Sequence, residues 1–501
     1  MIPTFKTRMP MAILPAALLL SFLLCAAVPA AGDVPHDVPA AGGITVEEAV
    51  FMALENNRAL HVQRIEPEIR RTFIEQERGL FDPVLSGEIR AGRERYDRPD
   101  VTDSLTDTTV TAETGLTGRL PTGTRLEVEA GTRRLDIEDR GRAHETRIGM
   151  SVTQALLQGR GVAVNMAAIR QASLDAQMSG YELIGFAQSL VAEVETVYWE
   201  YVLARQQVEI VEQSLELAGQ QLEETRQRVR VGELAETEIA AARAEIALRR
   251  EALINAKSRV DTLNARLTRL ISPARPHSGP GSIHPESRPE VPPDPLEALS
   301  GHVETAMRLR PDLRQAEMQI QRGDIEIVRT KNGLLPRMDL FVNLGKTGYA
   351  DSFSDSVRDI DGDAYDAFAG IQMSRPLSNR DADARHRRAR LSLQQREMSF
   401  ENLKDLVAED VELAYIEVRR TLQQVDATES TRRFQEEKLR AETAKFRVGR
   451  STALLVAQAQ RDLLESQVSE VAAITNYLKA RINFYLMEGS LLDRRGIGRD
   501  I

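Results

Sequence analysis

Two stretches of the chain carry apolar residues on a seven-residue step for far longer than a globular helix runs. In the first, Ala187, Val194, Tyr201, Val208, Leu215, Leu222 and Val229 form one seam. Leu183, Leu190, Val197, Ala204, Val211 and Ala218 form its partner. A stripe of this kind, sustained over so many heptads, specifies coiled-coil packing. The second stretch repeats the main seam through Val411, Val418, Val425, Leu439 and Phe446, with Arg432 breaking it once. Each long helix covers about 70 residues, hence ~105 Å at 1.5 Å per residue. Elsewhere the period drops to two. Leu126, Val128 and Ala130 alternate with Arg125, Glu127 and Glu129, and Ile148, Met150 and Val152 with Arg147, Gly149 and Ser151. Met338, Leu340, Val342 and Leu344 alternate with Asp339, Phe341, Asn343 and Gly345, and a further strand runs through Tyr365, Ala367, Ala369, Ile371 and Met373. One face is apolar and the other polar, as a barrel wall around a wet lumen requires. A two-layer soluble β domain with one buried face fits the same pattern.

The chain also repeats itself, and the repeat sets the architecture. Ala53-Leu54 to Leu60 has a counterpart in Ala306-Met307 to Leu313, and Pro83 in Pro336. VTQALLQGR from Val152 matches MSRPLSNR from Met373, Val191-Ala192-Glu193 matches Val407-Ala408-Glu409, and Arg230-Val231-Gly232 matches Arg447-Val448-Gly449. The order of all five is preserved. Residues 31–271 therefore form one structural repeat and 296–489 a second, joined by the Pro-rich linker 272–295 and followed by a tail, 490–501. Each repeat reads as a helix, a β segment (about 84–153 and 337–376), a long helix, a turn near 232 or 449, and a shorter helix. In the first repeat the leading helix spans Val46 to Gly79. The leading and closing helices, roughly 35 residues each, stack end to end to match the long helix beside them. The expected fold is mainly α with a β segment: long antiparallel coiled coils capped at one end by strands. About four strand candidates fall in the first half and two in the second, too few in either to close a barrel. An open sheet edge cannot sit in lipid, so a membrane reading demands that strands of several copies close together.

Composition narrows the setting. Hydrophobic residues are 42%, which excludes a chain of many membrane helices, and the net charge of −10 leaves no basic footprint for nucleic acid. Lys6, Arg8, the apolar run from Met11 to Val28 and Val28-Pro29-Ala30 read as a secretory signal over residues 1–30. Its removal takes two positive charges, leaving −12, and takes Cys25, the one cysteine. Leu24 precedes Cys25, where attachment of lipid to that cysteine wants a small residue. No later stretch is apolar enough for a membrane helix, so any membrane entry is by a closed barrel.

ITVEEAVFMALENN at 44–57, the strand-to-helix junctions VTQALLQGRGVAVN at 152–165 and SRPLSNRDADA at 374–384, and the turns RVRVGELAETEIAAARAE at 228–245 and FRVGRSTALLVAQAQRD at 446–462 resemble the TolC-like outer-membrane efflux proteins. The resemblance covers essentially the whole mature length. It implies a homotrimer that forms one transmembrane β-barrel shared between protomers, continued by a helical tunnel across the periplasm. The implied role is the passive exit duct of a tripartite efflux pump or type I secretion system. The implied partners are a periplasmic adaptor (membrane fusion) protein, an inner-membrane transporter and outer-membrane lipid, in a Gram-negative-type cell. No reaction, cofactor or metal is implied. The other reading is a soluble periplasmic coiled-coil adaptor or scaffold of an envelope complex.

Two departures from the family pattern stand out. Matching on Val448-Gly449 puts Leu455 and Gln458 where the family's second turn often carries acidic residues, so these two are the entrance-constriction candidates. The first turn keeps Thr237 and Glu238. The first β segment is also longer, 72 positions from Pro83 to Ala155 against 40 from Pro336 to Pro376. The excess of 32 fits one further hairpin turning at Leu120-Pro121-Thr122-Gly123. Gly232 and Gly449 are expected to cap the long helices in the left-handed conformation. Val231, Leu234, Val448 and Leu454 beside them are the candidate adaptor contacts.

Other candidate chemistry is thin. The histidines at 36, 61, 144, 277, 284, 302 and 386 lack metal-ligand spacing and read as isolated surface residues. GPGS at 279–282 lies in the Pro-rich linker rather than between a strand and a helix. Glu223 and Glu224 read as solvated, Tyr198 and Trp199 (echoed by Tyr415 and Ile416) as helix packing. Arg385, Arg387, Arg388 and Arg390 read as a solvated face or a contact with lipid head groups.

Overall fold

The computed structural model describes residues 43–96, 105–137, 141–271, 283–293 and 296–498. The expected signal segment with Cys25, the GPGS stretch and much of the linker lie outside them. The elements run α1 Val46–Asn56, α2 Arg58–Arg78, β1 Val84–Tyr96, β2 Leu105–Arg119, β3 Thr124–Ile137 and β4 Gly141–Ala155. Next come α3 Val162–Asn165, α4 Ala167–Arg230, α5 Thr237–Ile271, α6 Leu299–Leu309 and α7 Pro311–Gly333. The chain closes with β5 Arg337–Ala350, α8 Phe353–Arg358, β6 Tyr365–Ser374, α9 Arg380–Arg447, α10 Ala453–Glu488 and α11 Leu491–Arg494.

The segment 46–79, expected as one helix, is two. Thr45 opens α1 with a capping box closed by Glu48. Asn57 then leaves the helical region (ψ 116°) and caps α2, its side chain accepting from Ala59 and Leu60 N–H. The Asn57 amide also donates to Leu270 O at 3.1 Å, which fixes the break against the end of α5. The second repeat breaks in the same place, at Arg310 between α6 and α7. There Arg310 donates to Met487 O, and Gly489, the left-handed cap of α10, packs on the Arg310 backbone. Each long helix is thus flanked by a broken column, and the largest core lies where the broken columns abut. Leu60, Val191, Val194, Leu267, Leu270, Phe484, Leu491 and Leu492 are buried there. The stretch set aside as a tail is docked in this core through α11.

The seams behave differently along their length. Leu183, Leu190, Val197, Ala204, Val211 and Ala218 are all buried, as are Val194, Tyr201, Leu222, Val411, Val418, Val425 and Phe446. Val208, Leu215, Val229 and Leu439 are half-buried within the single chain. Toward the turns each long helix has fewer flanking helices than at the core, so part of the stripe stays open. Arg432, the break in the second seam, is paired with Glu470 on α10 at 2.6 Å.

The six strands form one antiparallel sheet in chain order, β1-β2-β3-β4-β5-β6, so β1 and β6 are its edges. α8 lies on one face of it, with the Ser356 and Thr146 hydroxyls 2.7 Å apart.

Candidate functional site

The pleat sorts the sheet into register lines of opposite character. One line crosses all six strands through Leu85, Leu116, Val128, Met150, Leu344 and Ala367. Every member is apolar. The next line crosses through Ser86, Gly115, Glu129, Gly149, Gly345 and Asp366 on the opposite face. Among the described residues no helix covers the apolar face at this level: Leu85, Leu116, Val128, Met150 and Leu344 are all exposed. In water a patch of this extent is a liability; against lipid it is what a barrel exterior presents.

On the polar face the charges lie flat. Arg147 pairs with both oxygens of Asp366, Nη2 to Oδ2 at 2.9 Å, and its Nε is 3.5 Å from Glu129. The glycines make this possible. A methyl group on Gly345 would stand 2.6 Å from Arg147 Nη2 and from Asp366 Oδ1, and one on Gly149 would meet Glu129 at 2.8 Å. The long side chains occupy the missing Cβ positions and stay against the wall.

At the helical side of the sheet, Asn165 ties the junction together. Its amide donates to Pro121 O, Gly159 O and Gly161 O, so the turn at 120–123 is bound to the start of the helices. Gly159 N–H in turn reaches Asn332 at 2.8 Å.

The two turns at the far end have one construction. Gly232 (φ +80°) donates to Val229 O and Glu233 to Arg228 O; Gly449 (φ +74°) donates to Phe446 O and Arg450 to Lys445 O. Both are Schellman caps, the geometry in which glycine carries no steric penalty. The Arg228 guanidinium sits 4.7 Å over the Phe446 ring, which brings the ends of α4 and α9 together. Val231 and Val448, each 69% exposed, and Leu454 project beside the caps, while Leu234 is half-buried. Thr237 and Glu238 open α5, with Glu238 in its first turn. Leu455 and Gln458 are exposed on the first turns of α10, which Thr452 caps by accepting from Leu455 N–H. Hydrogen bonds from Lys445 and Ser451 hold the Glu442 carboxyl below its ordinary range at this turn. Higher up, buried Glu245 joins the two hairpins, bonding Arg249 of its own helix at 2.8 Å and Arg461 of α10 at 2.9 Å.

Some residues escaped the sequence reading. Tyr198 and Tyr201 are not only packing. Tyr198 donates to Ile44 O at 2.7 Å and accepts from Ser287 N–H, and Tyr201 donates to Ile283 O at 2.6 Å. Together they pin linker residues 283–287, paired with Ile44, across α4. His302 is a correction: it is buried, bonded to Glu488 at 2.7 Å and set edge-on to Phe484. The α6 face it occupies turns into the core. His386 is half-buried and meets Thr330, while His36 and His277 lie outside the described residues. Glu223 and Glu224 are exposed and pair with Arg226 and Arg228. In the basic run, Arg385 pairs with Asp381, and Arg387, Arg388 and Arg390 are exposed. Among the described residues no group of three His, Cys, Asp or Glu is placed to hold a metal, and no helix is long and apolar enough to cross a membrane.

A sheet with an apolar exterior, set on helix columns about 100 Å long, is the plan of an outer-membrane channel protomer. The chain belongs to the family of outer membrane efflux proteins, whose model matches residues 50–272 and 303–490. It is thereby an outer-membrane channel of the efflux type, which decides against the soluble adaptor. Solved channels share the fold. The MtrE outer membrane channel of Neisseria gonorrhoeae superposes with a TM-score of 0.64 at 18% identity, over 89% of each chain. The Campylobacter jejuni CmeC outer membrane channel superposes with a TM-score of 0.65 at 14% identity, over 91% of this chain and 87% of that one. The outer-membrane channel OprN gives 0.64 at 17% identity, over 89% of each chain. No curated protein matches the sequence significantly.

Proposed function

We propose that three copies of this chain close into one duct, the β1 edge of each copy pairing with the β6 edge of the next. The observation that carries this is the six-stranded sheet with an apolar exterior and two edges that are unpaired among the described residues, an arrangement that lipid does not tolerate open. Apolar stripes continue each edge into the helices. Val62, Ile65, Ile69 and Phe73 are exposed on α2, just before β1; Leu391, Met398, Leu406 and Leu413 are exposed on α9, just after β6. A head-to-tail contact of these stripes repeats until the ring closes. The copy number of three follows from the resemblance to TolC-like proteins.

In this reading the barrel lies in the outer membrane of a Gram-negative-type cell and the helices cross the periplasm. The duct catalyses nothing; the driving energy comes from an inner-membrane transporter, reached through a periplasmic adaptor. Val231, Gly232, Leu234, Val448, Gly449 and Leu454 form the tips the adaptor meets. Leu455 and Gln458, with Thr237 and Glu238 on the neighbouring turn, line the entrance, which makes it an apolar and polar constriction. The test is the native mass of the detergent-extracted protein after membrane fractionation. A trimer from the outer membrane is expected, and a soluble periplasmic monomer overturns the reading. Cysteines introduced at Val231 and Val448 and cross-linked should then block export. Unimpaired export would remove the tips from the gate.

A further inference from the structure

We propose that the further hairpin of the first repeat, β2 and β3, forms part of the membrane wall, so that the closed barrel has eighteen strands. Such a barrel matches the helical tunnel in girth. The inference rests on the three-chain reading above.

The two repeats disagree in strand number. The second places two strands between Pro336 and α9; the first places four between Pro83 and α4. β1 follows Pro83 as β5 follows Pro336, and β4 precedes its long helix as β6 does, which leaves β2 and β3 as the addition. A hairpin added to a channel can fold outside the wall, as a cap or a plug. Here both strands are paired along their full lengths, with β1 on one side and β4 on the other, in a single sheet. Their polarity is that of the wall. Val110, Leu116, Leu126 and Val128 share the face of Met150 and Leu344, and all six are exposed. Thr111, Glu113, Glu127 and Glu129 share the face of Arg147 and Asp366. Asn165 also ties the turn at 120–123 to the helix junction, at the level where the other strands enter.

The geometry gives the consequence. With strands ~4.8 Å apart and tilted ~40°, eighteen strands make a perimeter of about 113 Å and twelve about 75 Å. Four helices per chain (α2, α4, α7 and α9) stand below the sheet, so three chains set twelve helices side by side. At 8–10 Å between axes their perimeter is roughly 95–120 Å. Eighteen strands therefore seat on the tunnel without a shoulder, and the backbone diameter stays at ~36 Å rather than ~24 Å. Glu129, Arg147 and Asp366 lying flat on the glycines keep that bore free. A solute that clears the tunnel also clears the barrel, so size selection falls to the tips.

The test uses single cysteines in the full-length protein, spin-labelled and reconstituted in lipid. Oxygen reports lipid exposure and a water-soluble nickel chelate reports aqueous exposure. Leu116→Cys and Val128→Cys, on one register line with Met150 and Leu344, should favour oxygen by the same factor as Met150→Cys and Leu344→Cys, with Thr111→Cys and Glu127→Cys reversed. Aqueous exposure at Leu116 and Val128, with lipid exposure kept at Met150 and Leu344 in a trimer, would put the hairpin outside the wall. That overturns the inference and leaves the duct standing. Aqueous exposure at all of these positions overturns both. Projection images supply a second measure. The barrel should be ~36 Å across, narrowing to ~24 Å when residues 97–140 are deleted. An unchanged diameter counts against the inference; a deletion variant that does not assemble leaves the labelling result decisive.

Discussion

Arg495, at the surface, and the buried Glu195 stand 300 positions apart, yet they make a two-pronged ion pair at 2.6 Å. No local pattern marks either as a partner of the other; the fold alone brings them together. Burial pushes the Glu195 carboxyl up, against the pull of Arg495. Arg495→Ala leaves the buried Glu195 carboxylate without its partner and should cost about 1–3 kcal/mol. A carboxyl whose folded pKa is raised favours the fold below its unfolded pKa, and that contribution is lost as pH rises through the folded value. The deficit of Arg495→Ala should therefore shrink on acidification, which thermal melts at a series of pH values will show. Glu442 has the opposite sign. Lys445 and Ser451 hold its carboxyl below the ordinary range, so its contribution to the turn is present above about pH 4.3 and fades as pH falls through the lowered folded value. Hydrogen exchange over residues 445–452 should rise in that acid range, and in Glu442→Gln it should be high at every pH. Arg432 is the intermediate case. Its interruption of a heptad seam was visible in the sequence, but its partner Glu470 was not.

The two long helices were legible because a heptad stripe states its own partner face. Its depth was not, since half-burial at Val208, Leu215, Val229 and Leu439 depends on how many other helices stand alongside. Leu190→Ala, buried at the core, should cost about 2–5 kcal/mol, while Leu439→Ala, nearer the tip, should cost clearly less in the same melts. The break at Asn57 escaped because helical residues continue on both sides of it. What makes it a cap is the end of α5, far away in the chain. In the sheet, alternation identified the strands and both faces. It gave no register, and the register is what lays Arg147 over Gly345. Gly345→Val should displace Arg147 from Asp366 at about 1–3 kcal/mol. A lowered melting point and a changed cation-to-anion permeability ratio of the reconstituted channel are the expected signs.

For the molecule as a whole, the edges and the exposed stripes set the assembly. Ile69→Asp places a charge on the α2 stripe, remote from the sheet, and should shift the extracted protein from trimer to smaller species on a sizing column; an intact trimer would place the contact elsewhere. The sequence by itself determined the duplicated plan, the coiled coils, the two-faced strands and the glycine-capped turns. Each of these is written in spacing along the chain, and spacing is fixed by the geometry of one helix or one strand. Only the tertiary structure decided that the further hairpin lies within one continuous sheet, that linker residues 283–287 are strapped to α4 by Tyr198 and Tyr201, and that His302 is buried against Glu488. Those features join residues far apart in the chain, and nothing in the local pattern of either partner specifies the other.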